Sequence, residues 1–185
     1  MKIPSHATCV FKGKIFDVYQ WEQEMFDGSK KTFEALKRPN TVLVIPLLED
    51  GKIVYAKQEQ PGRPPFISLF GGRADEGEQP LETAKRELLE ETGLVSDDWQ
   101  PLREFPFPGK IEWSVFYFVA RNCRKEAEPE LDPGGEKIEV QTTSLDAFIS
   151  EILIEPNFSE YELKQEIMSA FNPEIADRIK KEILG

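Results

Sequence analysis

The chain has 185 residues and a net charge of −11, from 23 lysines and arginines against 34 aspartates and glutamates. That length suits a single domain with a proper core, and the acidic balance excludes a general binder of nucleic-acid backbones. The two cysteines, Cys9 and Cys123, have neither paired nor metal-type spacing, so a disulfide framework is excluded and a reducing, cytoplasmic setting is expected. The opening MKIPSHATCVF holds no apolar stretch of signal-peptide length, and no run approaches the roughly 18–20 apolar residues of a membrane helix. The one histidine, His6, sits in an expected tail, so histidine-based catalysis is not expected.

In chain order, residues 8–38 read as a small β region, with strands over 10–11, 15–21 and 31–37 and a turn at 26–29. Thr41–Leu48 is a nearly continuous apolar run, as in a strand buried on both faces. A hairpin turn at 49–52 leads to a strand over 53–58, a proline-rich loop over 60–65 and a short strand over 66–70. A helix follows, with Pro80 in its first turn and Gly93 just past its last. Residues 96–101 read as irregular, 102–105 as a strand, 105–109 as a loop and 113–121 as an aromatic-rich strand. A polar loop over 124–135 precedes a final strand over 137–142. Ser144 caps a helix over 145–154, Asn157 or Ser159 caps one over 160–171, and 176–184 is helical.

The helix between Pro80 and Gly93 carries the chemistry. Leu81, Ala84 and Leu88 form its apolar stripe. Glu87, Glu90 and Glu91 fall at i, i+3 and i+4, so three carboxylates share the other side. Like charges at that spacing cost a few tenths of a kcal/mol per pair in a bare helix, a cost that a bound divalent cation offsets. Hard ions such as magnesium take oxygen ligands and bridge carboxylates to phosphates. Arg86 is expected to pair with Glu90 or Glu78 and fix the carboxylate rotamers. Gly71 and Gly72 precede the helix where backbone approaches a ligand, and the Gly71 carbonyl is a candidate to complete a metal shell.

The segment GRADEGEQPLETAKRELLEETGL, residues 72–94, resembles the Nudix box, G-x5-E-x7-R-E-U-x-E-E-x-G-U with U a bulky aliphatic. Gly72, Glu78, Arg86, Glu87, Leu88, Glu90, Glu91, Gly93 and Leu94 fill its specified positions. A solvated acidic helix face explains the carboxylates but not the glycines and arginine at fixed offsets. The resemblance implies an α/β fold, an α/β/α sandwich with a mixed sheet and a small N-terminal β appendage. It also implies magnesium-dependent hydrolysis of a nucleoside diphosphate linked to another group, with manganese as the alternative ion. The stretch GKIFDVYQWEQEMFDGSKKTFEALKRP resembles the N-terminal region of ADP-ribose and ADP-sugar pyrophosphatases. In that branch the appendage builds a homodimer and contributes to the partner's pocket. The expected division is 1–40 for dimerisation and substrate pocket, and 41–185 for the hydrolase.

Glu87, Glu90, Glu91 and Gly71 are the expected metal ligands, and Glu91 and Arg86 are expected to serve catalysis. Glu78 either orients Arg86 or reaches a metal through water. The loop FPFPGKIEW resembles the catalytic loop of ADP-ribose pyrophosphatases, and Glu112 is either its matching acid or an exposed loop carboxylate. Phe33 and Arg38 fall where that branch places an aromatic and a basic residue near adenine and phosphates; the bland alternatives are packing and a surface charge. Trp21 is expected to pack. Arg63 is a candidate phosphate clamp. The chain departs from the branch at Gln60, where arginine is frequent, and at Ser68 and Phe70, where a glutamate and then a proline are frequent. The expected activity is hydrolysis of ADP-ribose or a related nucleoside diphosphate sugar. GDP-mannose, another such sugar, a dinucleotide, and a non-catalytic nucleotide sensor are the alternatives, with triphosphate sanitiser and messenger-cap hydrolase further off.

Overall fold

The computed structural model describes residues 2–130, 135, 137–169 and 173–184. In the N-terminal region β1 (Thr8–Lys12), β2 (Asp17–Glu24) and β3 (Lys30–Lys37) form an antiparallel meander. Its second turn is set by Asp27, whose carboxylate accepts from the Ser29 N–H at 2.9 Å. The next strands are β4 (Thr41–Leu48), β5 (Ile53–Gln60), β6 (Arg63–Ser68) and β7 (Phe70–Arg73), which leads to α1 (Pro80–Thr92). After α1 come β8 (Leu94–Val95), β9 (Asp98–Pro106), β10 (Ile111–Glu112), β11 (Ser114–Lys125) and β12 (Lys137–Thr143). Helices α2 (Leu145–Ile154), α3 (Tyr161–Ser169) and α4 (Pro173–Leu184) complete the described fold.

The large sheet has the order β12-β5-β4-β11-β8, with β6 beside β5, β7 beside β4 and β9 beside β11. β4 and β11 run parallel and the other pairings in this sheet are antiparallel, so the sheet is mixed, as expected. Side chains of a strand alternate between faces, and β4 separates cleanly. Val42 and Val44 join Ala56, Phe118, Ala84 and Leu88 under α1. Ile45 and Leu47 join Tyr55, Tyr117 and Val119 against Phe148, Leu163 and Ile183 of the C-terminal helices. These two cores make the three-layer α/β/α sandwich. Leu88 is fully buried, worth about 1.5–3 kcal/mol relative to exposure, and it fixes which face of α1 looks away from the sheet.

Several expectations need correction. The irregular stretch expected at 96–101 is strand from Asp98 onward. Pro101 pairs with Phe118 beside the slip that leaves Leu102 as the extra residue, and β9 is paired on one side only, a setting in which sheets tolerate proline. The proline-rich loop over 60–65 shrinks to a turn at Pro61 and Gly62, and Pro64 and Pro65 lie inside β6. The single strand expected at 66–70 breaks at Leu69, because β6 pairs with β5 and β7 with β4. β10 was not expected; it pairs parallel with β3 and joins the N-terminal sheet. The residue ahead of α3 is Glu160, whose carbonyl takes the Lys164 N–H, and α4 starts at Pro173 rather than 176. The expected helix end at Phe171, and part of the loop over 124–135, fall outside the described residues.

Candidate active site

α1 begins after Gln79 with Pro80 in its first turn and ends on Gly93, whose left-handed backbone (φ 70°) returns its N–H to the Leu89 carbonyl. Burial of Ala84 and Leu88 leaves Arg86, Glu87, Glu90 and Glu91 on the remaining faces. Arg86 is a hub. Its guanidinium meets both oxygens of Glu78 at 3.2 Å, Glu87 at 2.9 Å and Glu90 at 3.0 Å, and it donates to the Arg73 carbonyl at 3.3 Å. The expected choice between Glu78 and Glu90 is therefore both, with Glu87 added. The Arg86 hydrogen bonds, then the Asp75 N–H, pull the Glu78 carboxyl down to about 2. Glu78, followed by Glu87 and Glu90, holds Arg86 above its already high range against burial. Burial pushes the Glu87 carboxyl up, and Arg86 opposes it. Three carboxylates on one guanidinium leave this set negative.

The two glycines of β7 bring the sheet to this helix. Gly71 donates its N–H to Glu91 at 2.7 Å. Its φ is 146°, and a Cβ there would lie 2.0 Å from the Val42 carbonyl oxygen, so β4, not a ligand, requires glycine at this position. A Cβ on Gly72 would lie 2.3 Å from Glu87 Oε1, so that carboxylate occupies the space the glycine leaves. The donor set Glu87, Glu90, Glu91 and the Gly71 main chain is hard oxygen throughout, which fits a divalent cation. In this conformation the acids are held by Arg86 and the Gly71 N–H, and among the described residues no three acidic, histidine or cysteine side chains are gathered as a metal site.

A second group lies at the start of β4 and β11, where Val115 pairs with Thr41 and Thr41 with Arg73. The Arg38 guanidinium sits 4.2 Å over the Trp113 ring and 5.4 Å from Phe16. Trp113 stacks in turn on Phe107 at 3.9 Å and donates to Thr41 Oγ1. Arg38 Nε is buried without a partner, and burial followed by nearby Arg73 lowers the Arg38 pKa. Glu112 lies on β10, its carboxylate accepting from the Ile3 N–H at 2.5 Å and paired with Lys37 at 3.2 Å. Phe33 of β3 sits opposite Trp21 of β2 with ring centroids 5.9 Å apart, and Lys110 lies 4.9 Å from its ring. Trp21 is buried, in keeping with packing. Arg63 stands at the end of β6 remote from β7, 3.5 Å over Phe66 and donating to Ser159. The structure thus brings Gly71, Arg86, Glu87, Glu90 and Glu91 together, sets Arg38 and Glu112 beside the strand starts, and places Arg63 elsewhere.

Sequence reasoning missed Arg73, Trp113 and Glu160. Glu160 is buried, and its carboxylate accepts the Leu69 N–H at 3.0 Å in the break between β6 and β7. Desolvation raises its pKa to about 8, against the Leu69 N–H, which favours the charged form. The buried Gln58 of β5 donates to Ser68 Oγ on the paired strand β6, so an amide–hydroxyl pair fills the place where a glutamate is frequent in the branch.

The sandwich and its acid-bearing helix are those of the Nudix class: the NUDIX domain model matches residues 37–163. The chain is 32% identical over 140 residues to the ADP-ribose pyrophosphatase of Bacillus subtilis (strain 168), covering 74% of this chain and 75% of that one. It is 24% identical over 162 residues to the ADP compounds hydrolase NudE of Escherichia coli (strain K12), covering 84% and 83%. A crystal structure of an ADP compounds hydrolase matches the fold with a TM-score of 0.67 at 22% identity, over 85% of each chain. The chain belongs to the Nudix family and is a pyrophosphatase of its ADP-ribose pyrophosphatase-like branch.

Proposed function

We propose that the protein splits the diphosphate of ADP-ribose, or of a related nucleoside diphosphate sugar, into a nucleoside monophosphate and a sugar phosphate, with magnesium as its ion and manganese as a substitute. The observation that carries this is the acid set of α1, locked by Arg86 against the two glycines of β7. The names of two relatives, ADP-ribose pyrophosphatase and ADP compounds hydrolase, support the substrate class. Nudix hydrolases generally use divalent metal ions. Glu87, Glu90, Glu91 and the Gly71 carbonyl are the groups that would hold one here. When bound, such an ion neutralises diphosphate charge and acidifies coordinated water.

The chain's own residues supply positioning and proton transfer. Arg86 keeps the carboxylates in one geometry. Arg38, with a buried Nε lacking a partner, gives a phosphate oxygen a donor. Phe33 offers the base an aromatic face. Glu112 takes the proton of the water that attacks phosphorus as the bridging P–O bond breaks, after exchanging Ile3 and Lys37 for that water. Arg63, engaged by Phe66 and Ser159, is given no role.

The N-terminal region, residues 1–40, is proposed to pair two copies into a homodimer while 41–185 carries the hydrolase. Val10, Phe11, Ile15, Phe16 and Phe26 are exposed there, and a second copy would cover them. Cytoplasmic residence is part of the same proposal; among the described residues no helix is long and apolar enough to cross a membrane. Product analysis tests the activity. ADP-ribose with magnesium should yield AMP and ribose 5-phosphate, and EDTA should abolish the yield. Cleavage of another nucleoside diphosphate sugar alone would move the substrate. Binding with no cleavage of any would make the protein a sensor.

A further inference from the structure

We propose that Arg38 and Arg73 form one anion site that prefers the dianionic phosphate of a phosphate monoester, the kind of phosphate that cleavage produces, to a singly charged phosphate inside a diphosphate. The source of that ligand rests on the hydrolase reading, which the proposal deepens; the site itself rests on the two guanidiniums.

The fold sets two cations side by side. Arg38 follows β3 and donates to Thr41 Oγ1 at 3.4 Å, and Arg73 ends β7, where it pairs with Thr41 across the ladder. Both border the bend between β1 and β2. Arg73 donates to the Lys14 carbonyl at 3.3 Å, and the Arg38 guanidinium lies 5.4 Å from the Phe16 ring. Like charges this close repel, and the chain has 34 acidic residues against 23 basic ones to supply counter-ions. Among the described residues none pairs with Arg38 or Arg73: the arginines in ion pairs are Arg86, Arg103, Arg121, Arg124 and Arg178. The carboxylates beside Lys37 in the sheet are engaged elsewhere. Asp17 accepts the Gly13 N–H, and Glu112 holds Lys37 and the Ile3 N–H. Arg38 Nε is buried without a partner. An external anion supplies both the missing counter-ion and the missing acceptor.

The number of charges selects the ligand. A phosphate inside a diphosphate esterified at both ends carries one negative charge. Water breaking the bridging P–O bond leaves two monoesters and, above their second ionisation at about pH 6, releases two protons, so each phosphate gains a charge. Two guanidiniums match a dianion in charge and present their forked donors to its oxygens. Arg73 also joins this site to the acid set, because its carbonyl accepts from Arg86 while its guanidinium acts on Arg38. A monophosphate at this site is held more tightly than a phosphate of the uncleaved substrate, so the protein is open to inhibition by its own product.

The test is calorimetric titration, in EDTA, of the full chain as wild type, Arg73→Gln, Arg73→Lys and, as a control for net charge, Lys137→Gln on β12. Arg73 is exposed, and these substitutions keep the main-chain carbonyl that Arg86 uses, which the fold tolerates. AMP and ribose 5-phosphate are each titrated beside their methyl esters, which carry one charge on phosphorus. The wild type should bind at least one of the two monophosphates about tenfold or more tighter than its ester. Arg73→Gln should weaken that monophosphate about tenfold and its ester by less than about threefold, Arg73→Lys should restore part of the loss, and Lys137→Gln should match the wild type. In turnover with magnesium, inhibition by the same monophosphate should weaken in parallel in Arg73→Gln, while the ADP-ribose KM moves by less than about threefold. The same binding pattern in a protein that cleaves no diphosphate would sustain the site and reject the hydrolase. Hydrolysis of ADP-ribose with no preference for monophosphate over ester, or with a preference that Arg73→Gln leaves unmoved, would reject the site alone.

Discussion

Replacing Glu160 with glutamine should turn a pH-dependent contribution to stability into a constant one. The Glu160 carboxyl is buried, accepts the Leu69 N–H and has its pKa raised by desolvation from 4.5 to about 8. The folded chain therefore binds this proton more tightly than the unfolded chain. The associated stability is fully present below pH 4.5 and is lost as pH rises through about 8. At about 1.4 kcal/mol per pH unit, the whole gap is worth about 5 kcal/mol, most of which falls between pH 5 and pH 8. A domain of this size is stable by only about 5–15 kcal/mol, so the effect is measurable. Glutamine keeps the shape and an oxygen for the Leu69 N–H but cannot ionise. Glu78, with its pKa depressed to about 2, acts in the opposite sense and below this window, since its stability is lost as pH falls. Urea unfolding of both proteins at pH 5, 6, 7 and 8 measures the difference. The wild-type advantage over Glu160→Gln should shrink by about 3–4 kcal/mol across that range. Parallel stability curves would refute a protonated Glu160 beneath the strand break.

Two further substitutions probe the acid site. Gly71→Ala places a methyl 2.0 Å from the Val42 carbonyl at φ 146°, so it should cost more than about 3 kcal/mol; Gly77→Ala, at φ 81° but in open space, should cost about 1 kcal/mol, and thermal melting separates the two. Arg86→Lys keeps the charge but loses the fork that spans Glu78, Glu87 and Glu90. It should lower kcat/KM for ADP-ribose by about tenfold or more with the melting temperature nearly unchanged, and unchanged turnover would remove Arg86 from positioning.

The parts legible in the sequence are those set by local chemistry. Pro80 and Gly93 bound α1, and the spacing of Ala84 and Leu88 against Glu87, Glu90 and Glu91 told its buried face from its acidic one. The nearly continuous apolar run of β4 announced a strand buried on both faces, and the two cores flank it. Contacts between distant residues were not legible. Glu160 reaches Leu69 across 91 positions, and Ile3 reaches Glu112 across 109. Nothing in the local pattern around Glu160 separates an inward carboxyl from a helix-capping one. The prolines of β6 and β9 argued for loops, and only the strand pairing shows Pro64 and Pro65 in a register slip and Pro101 on a strand paired on one side. Gly71 was read as making room for a ligand, whereas the nearest atoms belong to β4.

The most direct measurement is calorimetric titration of magnesium, with AMP present, into the wild type and into Glu91→Gln, paired with ADP-ribose turnover of the same two proteins. The wild type should take up the ion and hydrolyse the substrate, while the variant, still folded, should lose the uptake and at least about a hundredfold in turnover. Equal uptake and equal turnover in the two proteins would contradict the assignment of the α1 acids to a divalent cation.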